Sequence, residues 1–144
     1  MIIAVDFDGT IVSNKYPEIG EEYPFATDTL KMLINERNRL ILWTVREGKL
    51  LDEAVEWCKE RGVEFWAVNK DYPEENGSLN NNHFSRKIKA DIFIDDRNLG
   101  GLPDWGQIYH MIHDGKSWNQ VVRESVKRAR GMQEEPKKKP WWKF

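Results

Sequence analysis

The chain has 144 residues, 40% of them hydrophobic, 32% charged and 12% aromatic, and a net charge of −2. That is the size and mixture of one globular domain around one core, and its near-neutral balance excludes a global attraction to nucleic acid or anionic membrane. The single cysteine, Cys58, excludes an internal disulfide and a cysteine-based metal cluster.

No apolar run approaches the ~18 residues of a membrane span, and the N-terminus reads directly as a strand without a signal leader. A cytoplasmic protein with no membrane partner is expected. Ile2–Val5 is a continuous apolar run, short enough for a strand buried on both faces. Phe25, Ala26, Thr29, Leu30, Leu33 and Ile34 recur at helical spacing and predict a helix over roughly 25–37. Residues 40–43 form a second buried strand, and Leu50, Leu51, Ala54, Val55 and Cys58 mark a second helix closed by Gly62. Strands follow at 65–68 and 92–94. Pro103 then suits the first position of a helix carrying Trp105, Ile108, Tyr109 and Ile112. Ser117 caps a last helix whose inner side would hold Val121, Val122, Ser125, Val126 and Ala129.

Strands alternating with helices imply a three-layer, Rossmann-like α/β fold, a parallel sheet with right-handed crossovers and helices on both faces. One domain is expected over residues 1–130. A long polar loop over 69–89 interrupts the alternation, and a basic, aromatic tail, 131–144, ends in "PKKKPWWKF". Its Trp141, Trp142 and Phe144 are expected to dock on this chain or a neighbour.

In an open parallel sheet, ligands bind beyond the carboxyl ends of the strands. Those ends carry Asp6-Phe7-Asp8-Gly9-Thr10 after the first strand, and Thr44 and Arg46 after the second. Asp95-Asp96, then Arg97 and Asn98, follow the fourth. Carboxylates gathered on one edge repel each other unless a cation sits among them. Oxygen-only donors favour a hard ion such as Mg2+, which completes its shell with water and phosphate oxygens. Phosphoryl chemistry follows, because there charge neutralisation and positioning supply most of the catalysis. A calcium loop of the EF-hand kind is excluded, since it wants glycine sixth and glutamate twelfth, where this chain has Ile11 and Pro17. A receiver domain places its acidic pair before the phosphorylated aspartate, and here the order is reversed.

At these residues the chain resembles the haloacid dehalogenase (HAD) superfamily, in its phosphatase branch with little or no cap. DFDGT at 6–10 matches that family's first motif, LWT at 42–44 its second and IDD at 94–96 its fourth. The resemblance implies a phosphatase in which Asp6 attacks phosphorus and becomes an aspartyl phosphate. Asp8 would protonate the leaving alcohol and then deprotonate the hydrolytic water, and Thr44 would hydrogen-bond the phosphoryl oxygens. Mg2+ would be held by Asp6, the Asp8 carbonyl and Asp95, with Asp96 as ligand or acceptor. Aspartate two residues after the nucleophile argues for phosphate-ester hydrolysis over dehalogenase or ATPase chemistry.

The family also needs a lysine before the fourth strand. Lys87, eight residues before Asp95, fits best, while Lys70 and Lys89 stay open. Gly9, Thr10 and Arg46 are expected on the substrate side, although Arg46 could equally pair with Glu47 or Glu53. His83, His110 and His113 show no ligand spacing, and Cys58 reads as a core residue. The possible cap insertions, 11–24 and 69–89, are too short for a folded cap. An open site is expected, suited to a large substrate or to one whose lid is a second copy of the chain. Polynucleotide ends, phosphoproteins, sugar phosphates and nucleotides all fit. The alternative from another class is a phosphate-binding or regulatory module with little turnover.

Overall fold

Four short apolar runs pair as one sheet. In a computed structural model that describes residues 1–75 and 87–131, the strands are β1 (Ile2–Val5), β2 (Arg39–Leu42), β3 (Ala67–Val68) and β4 (Ile92–Ile94). They run in the order β3-β2-β1-β4, every pair parallel. The helices are α1 (Ala26–Asn35), α2 (Gly48–Glu60), α3 (Trp105–Asp114) and α4 (Trp118–Ala129). The architecture is α/β, Rossmann-like and three-layered, as the alternation implies. His83 and the tail aromatics Trp141, Trp142 and Phe144 lie outside the described residues.

The expected single domain over 1–130 divides within α3 into two compact units, residues 1–109 and one that begins at His110. In the first unit, β1 is central and its Ile3, Ala4 and Val5 are fully buried. Side chains alternate across a strand, so Ile3 and Val5 face one side and Ala4 the other. The crossovers β1-α1-β2 and β2-α2-β3 step in the same direction, and right-handedness places both helices on one face. These helices bury Leu30 and Leu33, and Ala54 and Cys58, respectively. On the other face Ala4, Ile41 and Ala67 meet Ile88, with Trp43, Trp66 and Ala90 packed around them. The segment that leads into β4 therefore covers the face that α1 and α2 leave open.

Several boundaries shift for local reasons. β3 spans only 67–68, because it is an edge strand paired on one side. α1 starts at Ala26, since Phe25 is left-handed (φ 66°) and 69% exposed. A side chain outside the helix supplies its cap: the Glu22 carboxylate accepts the Thr27 N–H at 2.8 Å and the Thr27 hydroxyl. α3 starts at Trp105 rather than Pro103, because the Asp104 carboxylate takes the Gln107 N–H at 2.9 Å and so occupies the cap position.

In the second unit, Ser117 and Gln120 form a reciprocal capping box that starts α4, with bonds of 3.3 and 2.8 Å. The expected inner stripe of α4 is not buried. Val122 and Val126 are 39% and 42% exposed, and Ser125 and Ala129 also face solvent. The helix is amphipathic, but a stripe is buried only where another element covers it.

Candidate active site

Asp6 follows β1 directly, and its N–H still donates to the Ile94 carbonyl at 2.9 Å. The ladder thereby fixes it at the carboxyl edge of the sheet. The chain then turns tightly, with the Phe7 carbonyl accepting from Thr10, Ile11 and Val12 at 3.0–3.3 Å. Gly9 is required twice over. Its φ is +84°, and a Cβ there would lie 2.4 Å from Asp96 Oδ2. Any side chain at this position would push Asp96 out of the cluster.

Thr10 is fully buried and ties the two acidic segments together. Its hydroxyl accepts the Asp96 N–H at 3.0 Å and stands 3.0 Å from Asp6 Oδ2 and 3.3 Å from Asp96 Oδ1, with one proton to donate between them. Its carbonyl accepts the Trp105 indole N–H at 3.0 Å, which anchors the loop to the start of α3. Asp95 is oriented by its own turn, as the Arg97 N–H donates to Asp95 Oδ1 at 2.9 Å.

Asp6, Asp95 and Asp96 each bring a carboxylate oxygen within 4.8 Å of the others. Burial, then the charge of Asp95 and side-chain hydrogen bonding with Asp96, push the Asp6 carboxyl up to about 7. Hydrogen bonds from the Phe7 backbone and the Thr10 hydroxyl pull the other way and lose. These three carboxylates could hold a metal ion. The donors are all oxygen, and the repulsion on Asp6 is what a cation would relieve, so the residues present fit a hard divalent ion such as Mg2+.

Asp8 is in a different situation. Arg46 grips it with a two-pronged fork, Nε to Oδ2 and Nη2 to Oδ1, both 2.7 Å. Arg46 is itself completely buried and does not pair with Glu47 or Glu53. Its remaining N–H groups donate to the main-chain carbonyls of Pro17, Leu50 and Glu18 at 3.1, 3.4 and 3.0 Å. The fork raises the Arg46 pKa against the burial that would lower it. Removing one partner of such a buried pair costs about 3–5 kcal/mol, because the other charge is left stranded.

Thr44 lies two residues past β2, and Asn69, past β3, organises the turn around it. Asn69 accepts the Thr44 N–H at 2.8 Å and donates to the Arg46 carbonyl at 3.3 Å, while the Arg46 N–H caps the Thr44 hydroxyl at 3.1 Å. Asn69 is left-handed (φ 52°), and its own N–H bonds to the Leu42 carbonyl at 2.8 Å. No motif points to Asn69. The available signal is chemical, an asparagine just past a strand, the residue type that tolerates this conformation and bonds nearby backbone.

Asp6, Asp8, Thr44 and Asp95 open into one cleft of about 480 Å3, whose walls include Asn14, Tyr16, Trp43 and Arg97. Gly9, Thr10 and Arg46, expected on the substrate side, stand behind it: Thr10 and Arg46 are fully buried, and the open side of Gly9 is filled by Asp96. Lys87 and Lys89 are exposed, Lys70 is half-buried, and none of the three lines the cleft. Ile88 packs level with Ala4, Ile41 and Ala67, whereas Asp91 bonds Ile2 at the amino edge of β1. Between them, the Lys89 N–H donates to Asp71 Oδ1 at 2.6 Å, which ties the segment to the chain just past β3. Neither His110 nor His113 lines the cleft. Burial pushes the Cys58 thiol up to about 12, so it is inert.

An α/β sheet with an acidic cleft at its carboxyl edge defines the class of the molecule. No family model matches the chain, and no curated protein does. Among solved structures it is similar to a conserved protein from Bacteroides thetaiotaomicron, with 64% identity and a TM-score of 0.77. The match covers 84% of this chain and 96% of that one. The chain belongs to the same family as that conserved protein. No helix among the described residues is long and apolar enough to cross a membrane.

Proposed function

We propose that the chain is a Mg2+-dependent phosphatase of the haloacid dehalogenase type, hydrolysing a phosphate monoester through an aspartyl phosphate on Asp6. The observation that carries this is one juxtaposition. Asp6, crowded by Asp95 and Asp96, shares a cleft with a second, separately held carboxylate, Asp8, and with the Thr44 hydroxyl. A nucleophile, an acid–base group and a donor to phosphoryl oxygens are the parts that such a reaction needs.

A carboxylate oxygen of Asp6 attacks phosphorus, and the bond from phosphorus to the leaving oxygen breaks as Asp8, which enters the cycle protonated, gives that oxygen its proton and is left a carboxylate in the Arg46 fork. Water then attacks the phosphorus, Asp8 takes its proton, and the bond to Asp6 breaks to release inorganic phosphate. Thr44 donates to the phosphoryl oxygens throughout. Asp6, the Asp8 carbonyl and Asp95 would hold Mg2+, which supplies charge neutralisation at the phosphoryl group. Lys87, eight residues before Asp95, is the candidate for the remaining cation on its spacing.

The open cleft and the short 11–24 segment leave substrate choice to groups at the mouth. Hydrolysis of p-nitrophenyl phosphate tests the proposal directly. Turnover that requires Mg2+ and disappears with chelator is expected. Phosphate binding without turnover would favour a regulatory module instead.

A further inference from the structure

Arg46 is the largest side chain with no solvent exposure among the described residues, and it does not line the cleft. A buried guanidinium is costly unless every donor is satisfied, and here each one is, by groups from three places. Two N–H groups form the fork on Asp8, one reaches Leu50 in α2, and the others reach Pro17 and Glu18. Its Cζ lies 5.2 Å from the centre of the Phe7 ring and 5.3 Å from that of Tyr16. Phe7 is fully buried between the two aspartates in sequence, whereas Tyr16 is 50% exposed and forms cleft wall.

Segment 11–23 is anchored at its base, where Ile11 and Val12 are fully buried and Glu22 caps α1. Its paired arms are joined by Ser13 N–H to the Glu21 carbonyl and Tyr23 N–H to the Ile11 carbonyl, at 2.8 and 2.9 Å. Gly20 lets the arms meet, since a Cβ there would lie 2.0 Å from the Ser13 carbonyl oxygen. Between these arms, the stretch carrying Asn14, Tyr16, Pro17 and Glu18 is fastened to the body of the unit through Arg46.

We propose that Arg46 is the positioning residue of this cleft. It holds the Asp8 carboxylate in one orientation and binds it to the strap that carries Asn14 and Tyr16, so that the recognition wall and the acid–base group move as one body. The inference rests on the phosphatase reading for what Asp8 does, but the mechanical link stands on the hydrogen bonds alone. Lysine cannot replace it, because an ammonium offers no planar fork and too few directed donors to reach all three places.

Two experiments on the full chain separate the link from the chemistry. The first is steady-state hydrolysis of p-nitrophenyl phosphate by Arg46→Lys, with far-UV circular dichroism to confirm the fold. A drop in kcat of about a hundredfold is expected, with KM and the affinity for fluoroberyllate at Asp6 within about threefold of wild type. Unchanged kcat overturns the proposal, and so does loss of fluoroberyllate binding in proportion to activity, the signature of a merely structural role. The second is amide hydrogen exchange in Asp8→Asn, which breaks the fork from its other side and needs no turnover. Exchange at Ser13, Glu21 and Tyr23 should rise at least about tenfold, while Trp43, bonded to Val5 across β1 and β2, stays protected. Unchanged exchange in the strap overturns the coupling. An inactive wild type with that rise intact would instead refute the phosphatase reading and leave the link standing.

Discussion

Asp6 and Asp8 are two residues apart and chemically identical, yet the fold treats them in opposite ways. Asp8 receives a buried guanidinium of its own, with both oxygens engaged at 2.7 Å. Asp6 receives two more carboxylates and a hydroxyl, and its carboxyl is pushed up to about 7. One acid is compensated from within the chain, and the other is left for something from outside. A fold that needed two charges only for solubility would not bury an arginine behind one and crowd acids around the other. On the proposed reading, the difference separates a group that must be held from a group that must receive a cation and an electrophile.

Asp6→Asn breaks the comparison most severely. An amide cannot attack phosphorus, so kcat on p-nitrophenyl phosphate should fall by at least about a thousandfold. The fold should survive, since the substitution relieves repulsion. A stable variant that keeps more than a few per cent of the activity would move the nucleophile elsewhere.

Next in size is the lysine. Lys87→Ala should lower activity about a hundredfold, the scale of one lost preorganised charge contact. Lys70→Ala and Lys89→Ala should stay within about tenfold of wild type. A silent Lys87→Ala beside a dead Lys70→Ala would shift the role to Lys70, which stands at the carboxyl edge just after Asn69.

A smaller effect concerns the metal. Asp95→Asn should weaken Mg2+ binding in calorimetry by about tenfold, and Asp96→Asn by less. Asp96 is already occupied by the Thr10 hydroxyl and by the space over Gly9. The reverse order would make Asp96 the principal ligand.

The smallest effect is on stability. The folded chain holds a proton on Asp6 up to about pH 7, whereas the ordinary carboxyl loses it near 3.8. Without added cation, stability therefore declines as pH rises from about 4 to about 7. Solvent reaching the cleft screens the repulsion, which limits the change to about 1 kcal/mol. The melting temperature should be about 1–2 °C lower near pH 8 than near pH 5.5. Asp6→Asn should flatten this slope, and Mg2+ should offset it. A wild-type slope of the opposite sign would contradict the crowding.

What the sequence makes legible follows how local each signal is. β1 and β4 are short apolar runs, and their ends match the structure, because an unbroken apolar run has no polar alternation to blur its limits. The acids at those ends are visible for the same reason, since each follows its strand within three residues. The partition between Asp6 and Asp8 is not legible. It depends on Arg46, which lies 38 residues from Asp8 and reads in sequence like any strand-end cation. Thr10 is similar: a small hydroxyl after a glycine suggests a phosphate donor, but its partner Asp96 lies 86 residues away. Asn69 reveals itself only once β2 and β3 are adjacent. The α4 stripe shows the converse error, because amphipathic spacing reports a face that could be buried and not whether anything covers it.

The difference between the two aspartates is tested most directly by trapping. Protein incubated with p-nitrophenyl phosphate and Mg2+ is quenched in acid, digested and examined by mass spectrometry. One phosphoryl group on the peptide that holds both aspartates is expected, assigned to Asp6 by fragmentation and absent from Asp6→Asn. A phosphoryl group on Asp8 or Asp95, or turnover with no labelled aspartate, would contradict it.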